Sequence, residues 1–232
     1  MSQSAQGELV AQSAEAAYAR ITVRRMCGAL GAEIGGVDLS KPVDDATVAE
    51  IRRAFLEHDV IVFRDQDLAP DRLIAFTEMF GPVEQHPYYR TGQIEGFPEI
   101  LVLEHKAGQF FNGKNDVWHS DITFGEKPPL GSVLHCRACW EGFADTMFAN
   151  QYMAYERLSE PMKRFLEGLT AEHSAAWVQR RNNELANNKP ITEIAPPVFH
   201  PVIRTHPETG RKSLYVNMPS VARICELEEE ES

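Results

Sequence analysis

Long apolar runs are missing from this sequence: none of its 232 residues lies in a stretch approaching the roughly 18 continuous apolar residues of a membrane span. The first 20 residues have neither a basic start nor an apolar block, so they do not read as a secretory signal. Cysteine is scarce. Four in a chain of this length build no disulfide framework, which points to the reducing cytoplasm. Basic charge is also short, with 23 Lys and Arg against 34 Asp and Glu, a formal net charge of −11. Such a surface repels nucleic-acid phosphates. Part of the acidity is one terminal run, Glu226 and Glu228 to Glu231. No internal repeat is visible.

What remains is ordinary for a soluble globular protein, with 43% apolar and 25% charged residues. The length fits one domain able to bury a sizeable core. Residues 1–20, rich in Ala, Ser, Gln and Glu, read as a loose or partly helical extension before a single domain over 21–232. Ile21 to Val23 starts a strand. Asp44 or Asp45 caps a helix running to about His58, with Val48, Ile51, Ala54 and Phe55 on one face and Asp59 closing it. Val60 to Phe63 is a β-branched run that predicts a buried strand. Pro70 opens a second helix that Gly81-Pro82 ends.

Further along, strands are expected over 100–103, 117–124, 131–136 and 146–149, and helices between Met153 and His173. Residues 182–197 read as a loop. Val198 to Ile203 and Ser213 to Asn217 are the last strands, separated by a turn from His206 to Gly210. Helices early and antiparallel strands later predict an α+β chain whose sheets form a sandwich or barrel.

The sharpest motif is Trp118-His119-Ser120-Asp121. On a strand, residues two apart point the same way, so His119 and Asp121 would project together. An imidazole and a carboxylate on one face are two arms of the facial triad that holds iron(II) with positions left open. A bare HxD is equally a surface histidine beside a solvated aspartate.

The surrounding segment, Asn115 to Phe124 followed by Pro128-Pro129, resembles the iron-binding strand of taurine dioxygenase-type enzymes. The resemblance continues in Gly31 to Leu39, Val62 to Gln66, Phe80-Gly81, Asp145-Thr146, His200 to Pro207 and Leu214 to Asn217. It implies a double-stranded β-helix (jelly-roll, clavaminate synthase-like) core with flanking helices, and an iron(II)- and 2-oxoglutarate-dependent dioxygenase. His119 and Asp121 would be metal ligands, and Thr146 would help hold a carboxylate of 2-oxoglutarate. His86, Tyr89 and Asn115 would contact a small anionic substrate, with Phe124 and Tyr215 as aromatic walls. Ala175 stands where such enzymes can carry phenylalanine, which implies a pocket wider than one made for taurine. With oxygen as the other reactant, taurine or a related alkyl sulfonate would yield an aldehyde and sulfite. An alkyl sulfate ester or an aryloxyalkanoate would undergo the same chemistry.

Two further motifs compete. Cys136-Arg137-Ala138-Cys139 beside His135 is a CxxC, but a structural zinc site needs a second pair, and on a strand an offset of three splits the thiols between faces. His200 and His206 sit among prolines and a turn, and a structural role is expected for both. The family's distal histidine and its 2-oxoglutarate-binding arginine lie beyond the LxVN strand, and neither residue type follows Arg223. The stretch from Arg223 to Glu228 reads as the lead-in to a helix. The expectation is thus a chain without its C-terminal strands, inactive alone and a homo-oligomer when complete. The rival is a non-catalytic jelly-roll module.

Overall fold

The computed structural model describes residues 17–89, 92–104, 117–139, 145–184 and 189–232. The chain divides into two compact units, one up to Asp67 and the other from Leu68 to Ser232.

In the first unit, β1 (Thr22–Arg25) pairs antiparallel with β2 (Ala32–Gly35), which pairs in parallel with β3 (Ile61–Phe63). A parallel neighbour requires a crossover, and α1 (Asp45–His58) supplies it. The Asp44 side chain accepts the Thr47 N–H at 3.0 Å, satisfying one of the donors a helix start leaves open. At the other end Asp59 takes a left-handed φ of 64° and returns its N–H to Phe55. Thr47, Ile51, Ala54 and His58 form the buried stripe, so the face is turned by one residue from the expected one, and Val48 and Phe55 flank it. On β2 the alternation is period two, with Ala32 and Ile34 buried. The β3 residues, expected to be buried, are all half-exposed.

The second unit opens with α2 (Pro70–Glu78), whose proline sits in the first turn where no N–H is needed. A hairpin of β4 (Gln93–Ile94) and β5 (Phe97–Leu101) follows. Then come α3 (Gln151–Glu156) and α4 (Glu160–Leu166), capped by Asn150 and Ser159. The expected helix to His173 stops here. Gly168 takes φ 97°, and Thr170–His173 becomes β6, with Ala171 and His173 buried on its inner face. After α5 (Ala176–Asn183), β7 (Val198–Pro201) pairs with β6, and β8 (Ile203–Thr205) with β9 (Lys212–Leu214) form a hairpin. The turn from His206 to Gly210 is as expected, with the His206 Nδ1 accepting the Glu208 and Thr209 N–H groups.

The last element is a strand where none was expected: Val221–Ile224 forms β10. It lies antiparallel on β6, giving the sheet order β10-β6-β7. Arg223 pairs with Glu172 across that ladder at 2.9 Å, and the Glu226 carboxylate accepts the Thr170 N–H at 2.8 Å.

The α+β class holds, but three expected strands do not form. Residues 117–124, 131–136 and 146–149 carry no strand. Apolar β-branched runs become strands only by pairing, and among the described residues these find no ladder. Leu134, at 71% exposed, and Met147, at 75%, show the result.

Candidate active site

The segment expected as a metal-binding strand is an irregular stretch followed by turns. Ile122 takes a left-handed φ of 50°, rare for a β-branched residue, and Gly125 N–H closes the turn on the Ile122 carbonyl at 3.0 Å. Strand alternation would put Asp121 and Thr123 on one face. The turn instead leaves Asp121 exposed and buries Thr123 and Phe124. Trp118, beside His119, is 59% exposed.

His119 and Asp121 nevertheless converge, with Nε2 and Oδ1 3.5 Å apart. Each is held from behind. The His119 Nδ1–H donates to the Val117 carbonyl at 2.8 Å, which leaves the Nε2 lone pair for another partner. The Ser132 hydroxyl donates to Asp121 Oδ2 at 2.6 Å. His119 is raised above the usual histidine range chiefly by Asp121, and burial opposes the shift. The Asp121 carboxyl is lowered chiefly by His119, with Ser132 adding to the effect and His86 contributing a smaller one. An orienting partner on the far atom of each ligand is the usual surrounding of a metal site.

This donor set fits iron(II): one imidazole nitrogen and one carboxylate oxygen, side by side. Among the described residues no third His, Cys, Asp or Glu completes a cluster with them.

His86 is turned so that Nδ1 accepts the backbone N–H groups of Tyr88 and Tyr89 at 3.2 and 3.0 Å. Its hydrogen therefore sits on Nε2. Its ring stacks on Tyr89, centroids 4.3 Å apart, and burial raises the Tyr89 phenol. Phe124 packs against Tyr88 at 5.7 Å, and Tyr88 Oη accepts the Ala195 N–H at 3.0 Å.

Residues 22–232 match the family model described as "Taurine catabolism dioxygenase TauD, TfdA family". The chain belongs to this family. Its members use iron(II) and 2-oxoglutarate. The chain is 35% identical over 209 residues to an alkylsulfatase of Acinetobacter baylyi, covering 84% of this chain and 62% of that protein. It is 30% identical over 226 residues to an alpha-ketoglutarate-dependent sulfonate dioxygenase of Saccharomyces cerevisiae, covering 92% and 53%. Other relatives are named for sulfate esters and 2,4-dichlorophenoxyacetate. The chain thus spans roughly half to two-thirds of the length of the first of these curated relatives. Among solved structures it resembles a taurine dioxygenase from Burkholderia xenovorans, with a TM-score of 0.67 and 29% identity over 92% of this chain and 69% of that one. The jelly-roll fold expected of the chain is the fold of that structure.

Within this TauD, TfdA-family chain the remaining site expectations fare differently. Thr146 is exposed on the strandless stretch 145–150, and no hydrogen bond ties it to His119 or Asp121. Tyr215 is half-buried, stacked at 5.7 Å on His173 with the Arg204 guanidinium 4.8 Å over its ring. Ala175 is 2% exposed and is the N-cap residue just before α5. Asn115 lies outside the described residues. The CxxC corrects a geometric argument. No strand forms there to part its thiols between two faces, and the neighbouring Cys136 raises the Cys139 thiol. Ser132 went unnoticed in the sequence, because nothing local marks a serine eleven residues from its carboxylate.

Proposed function

We propose that the chain carries the metal-binding part of an iron(II)- and 2-oxoglutarate-dependent dioxygenase acting on a small anionic organic substrate, a short alkyl sulfonate foremost. The observation that carries this reading is the convergence of His119 Nε2 and Asp121 Oδ1 at 3.5 Å, each with its other atom already engaged. When bound, iron(II) with 2-oxoglutarate and oxygen supplies the oxidising power, converting the cosubstrate to succinate and carbon dioxide while a substrate carbon gains a hydroxyl.

The chain's own residues do the rest. His119 and Asp121 hold the metal, and Ser132 keeps the carboxylate from turning away. The His86 Nε2–H meets the substrate anion, with Tyr89 stacked behind it, and Asn115 is a further substrate contact. Thr146 takes a carboxylate of 2-oxoglutarate, while Phe124 and Tyr215 exclude water. A carbon that bears both hydroxyl and sulfonate collapses to an aldehyde and sulfite. The small Ala175 leaves room for a substrate larger than taurine.

A second substrate reading rests on the alkylsulfatase relative, which is more similar (35%) than the sulfonate dioxygenase (30%). With a sulfate ester the same hydroxylation releases sulfate. In a completed protein that carries the missing histidine and arginine, succinate release with iron(II) and taurine, longer sulfonates, alkyl sulfates or aryloxyacetates separates these. Release with sulfonates, abolished by His119→Ala, is the expected result. Exclusive use of sulfate esters or aryloxyacetates overturns the sulfonate reading, and turnover that survives His119→Ala overturns the site.

A further inference from the structure

Among the described residues of the second unit, the polar side chain most completely enclosed is His173, 0% exposed, and Thr123 beside it is 1% exposed. The Thr123 hydroxyl accepts Asn217 Nδ2–H at 3.1 Å and lies 3.0 Å from His173 Nδ1. Asn217 fills one lone pair of the hydroxyl, and either tautomer of His173 completes the contact, leaving Nε2 as the ring's other nitrogen. That Nε2 has no hydrogen-bond partner. Instead the His173 ring meets His200 edge-on at 5.1 Å and stacks on Tyr215. His200 in turn donates Nε2–H to the Gly125 carbonyl at 3.0 Å.

These anchors share one sheet. His173 ends β6, His200 lies in β7, and Asn217 opens the turn into β10, where the Ser220 and Val221 N–H groups return to it. What they grip is Thr123 to Gly125, immediately beyond Asp121. That segment has no ladder of its own, and its left-handed Ile122 is a conformation that surroundings must impose.

We propose that His173, Asn217 and His200 form a clamp that positions the Asp121 carboxylate for metal uptake through Thr123 and Gly125. They are positioning residues and touch no metal. The proposal rests on the reading of His119 and Asp121 as ligands. A metal site gains affinity from ligands held in place before binding, and loss of an orienting partner typically costs about 10- to 100-fold.

The test uses the full chain, cobalt(II) titration followed by visible absorption, and hydrogen exchange of the metal-free protein over residues 117–125. Thr123→Val keeps the shape and removes the hydroxyl; Thr123→Ser restores the hydroxyl. We expect Thr123→Val to weaken cobalt(II) about tenfold and to speed exchange over 117–125, with Thr123→Ser near wild type. His173→Phe should add little to Thr123→Val, because both break one connection. Wild-type affinity and exchange in Thr123→Val overturn the clamp. Should Thr123→Val not fold, Asn217→Ala serves: faster exchange confined to 117–125 supports the clamp, and unchanged exchange there refutes it. His119→Ala and Asp121→Ala run alongside. If cobalt(II) binding ignores them, the ligand reading fails, while exchange in the metal-free protein still decides the clamp.

Discussion

The unit up to Asp67 and the described stretches 117–139 and 145–150 are ordered by different means. In the first, backbone does the work: β1, β2 and β3 share one ladder, α1 connects two of its strands, and Ala32, Ile34, Ile51 and Ala54 are almost wholly covered. In the second, no strand or helix forms over 117–139 or 145–150, and order comes from single hydrogen bonds of side chains, Ser132 on Asp121 and His173 and Asn217 on Thr123. The lesson is a separation of tasks. Regular packing supplies stability where no chemistry is placed. The stretch that presents the candidate ligands is held at a few points, and each point therefore matters to the site more than to the fold.

That contrast can be broken from either side. The largest effect is expected at Ile51, 0% exposed, where Ile51→Ala should cost about 2–5 kcal/mol in denaturant unfolding and leave cobalt(II) affinity unchanged. His119→Ala or Asp121→Ala should do the reverse, lowering cobalt(II) affinity on the order of 100-fold with little shift in melting, since both side chains are substantially exposed. If Ile51→Ala weakens the metal as strongly as His119→Ala does, the separation is wrong.

A pH series sharpens the comparison at its next level. Burial pushes the His173 imidazole down to about 4 from an ordinary 6.5, so the folded protein holds it neutral. Its stabilising contribution is complete above pH 6.5, where both states are neutral. As pH falls towards 4, the unfolded chain takes up a proton that the folded one refuses, and up to roughly 3 kcal/mol is lost. His173→Phe should flatten the stability profile between pH 6.5 and 4; an unchanged slope would place the loss elsewhere. The smallest effect is expected at the helix cap, where Asp44→Ala should cost about 1 kcal/mol in unfolding and nothing in metal binding.

How much of this could be read from the residues follows the same division. The Asp44 cap, Pro70 in a first turn, the β-branched run at Ile61–Phe63 and the turn at His206–Gly210 were legible because each is decided by neighbours in sequence. Strands β6 and β10 were not. Thr170–His173 is four residues long, and its partners lie about thirty and fifty positions away, so a short alternation was absorbed into the preceding helix. At the site, the HxD spacing suggested that His119 and Asp121 meet, and they do, although a turn and not a strand brings them together. The contacts of Thr123 with His173 and Asn217 span 50 and 94 residues, and no local pattern announces them. Residues 131–136 and 146–149 have the composition of strands but no ladder among the described residues, which composition alone cannot foretell.

The exposed indole of Trp118 gives the candidate metal site an optical signal of its own. Of the chain's three tryptophans it is the one adjoining a candidate ligand, His119, in sequence, and at 59% exposed it emits as a solvated indole. A paramagnetic ion taken up by the neighbouring imidazole quenches such emission at short range, so the chain can report its metal occupancy by fluorescence without an attached dye.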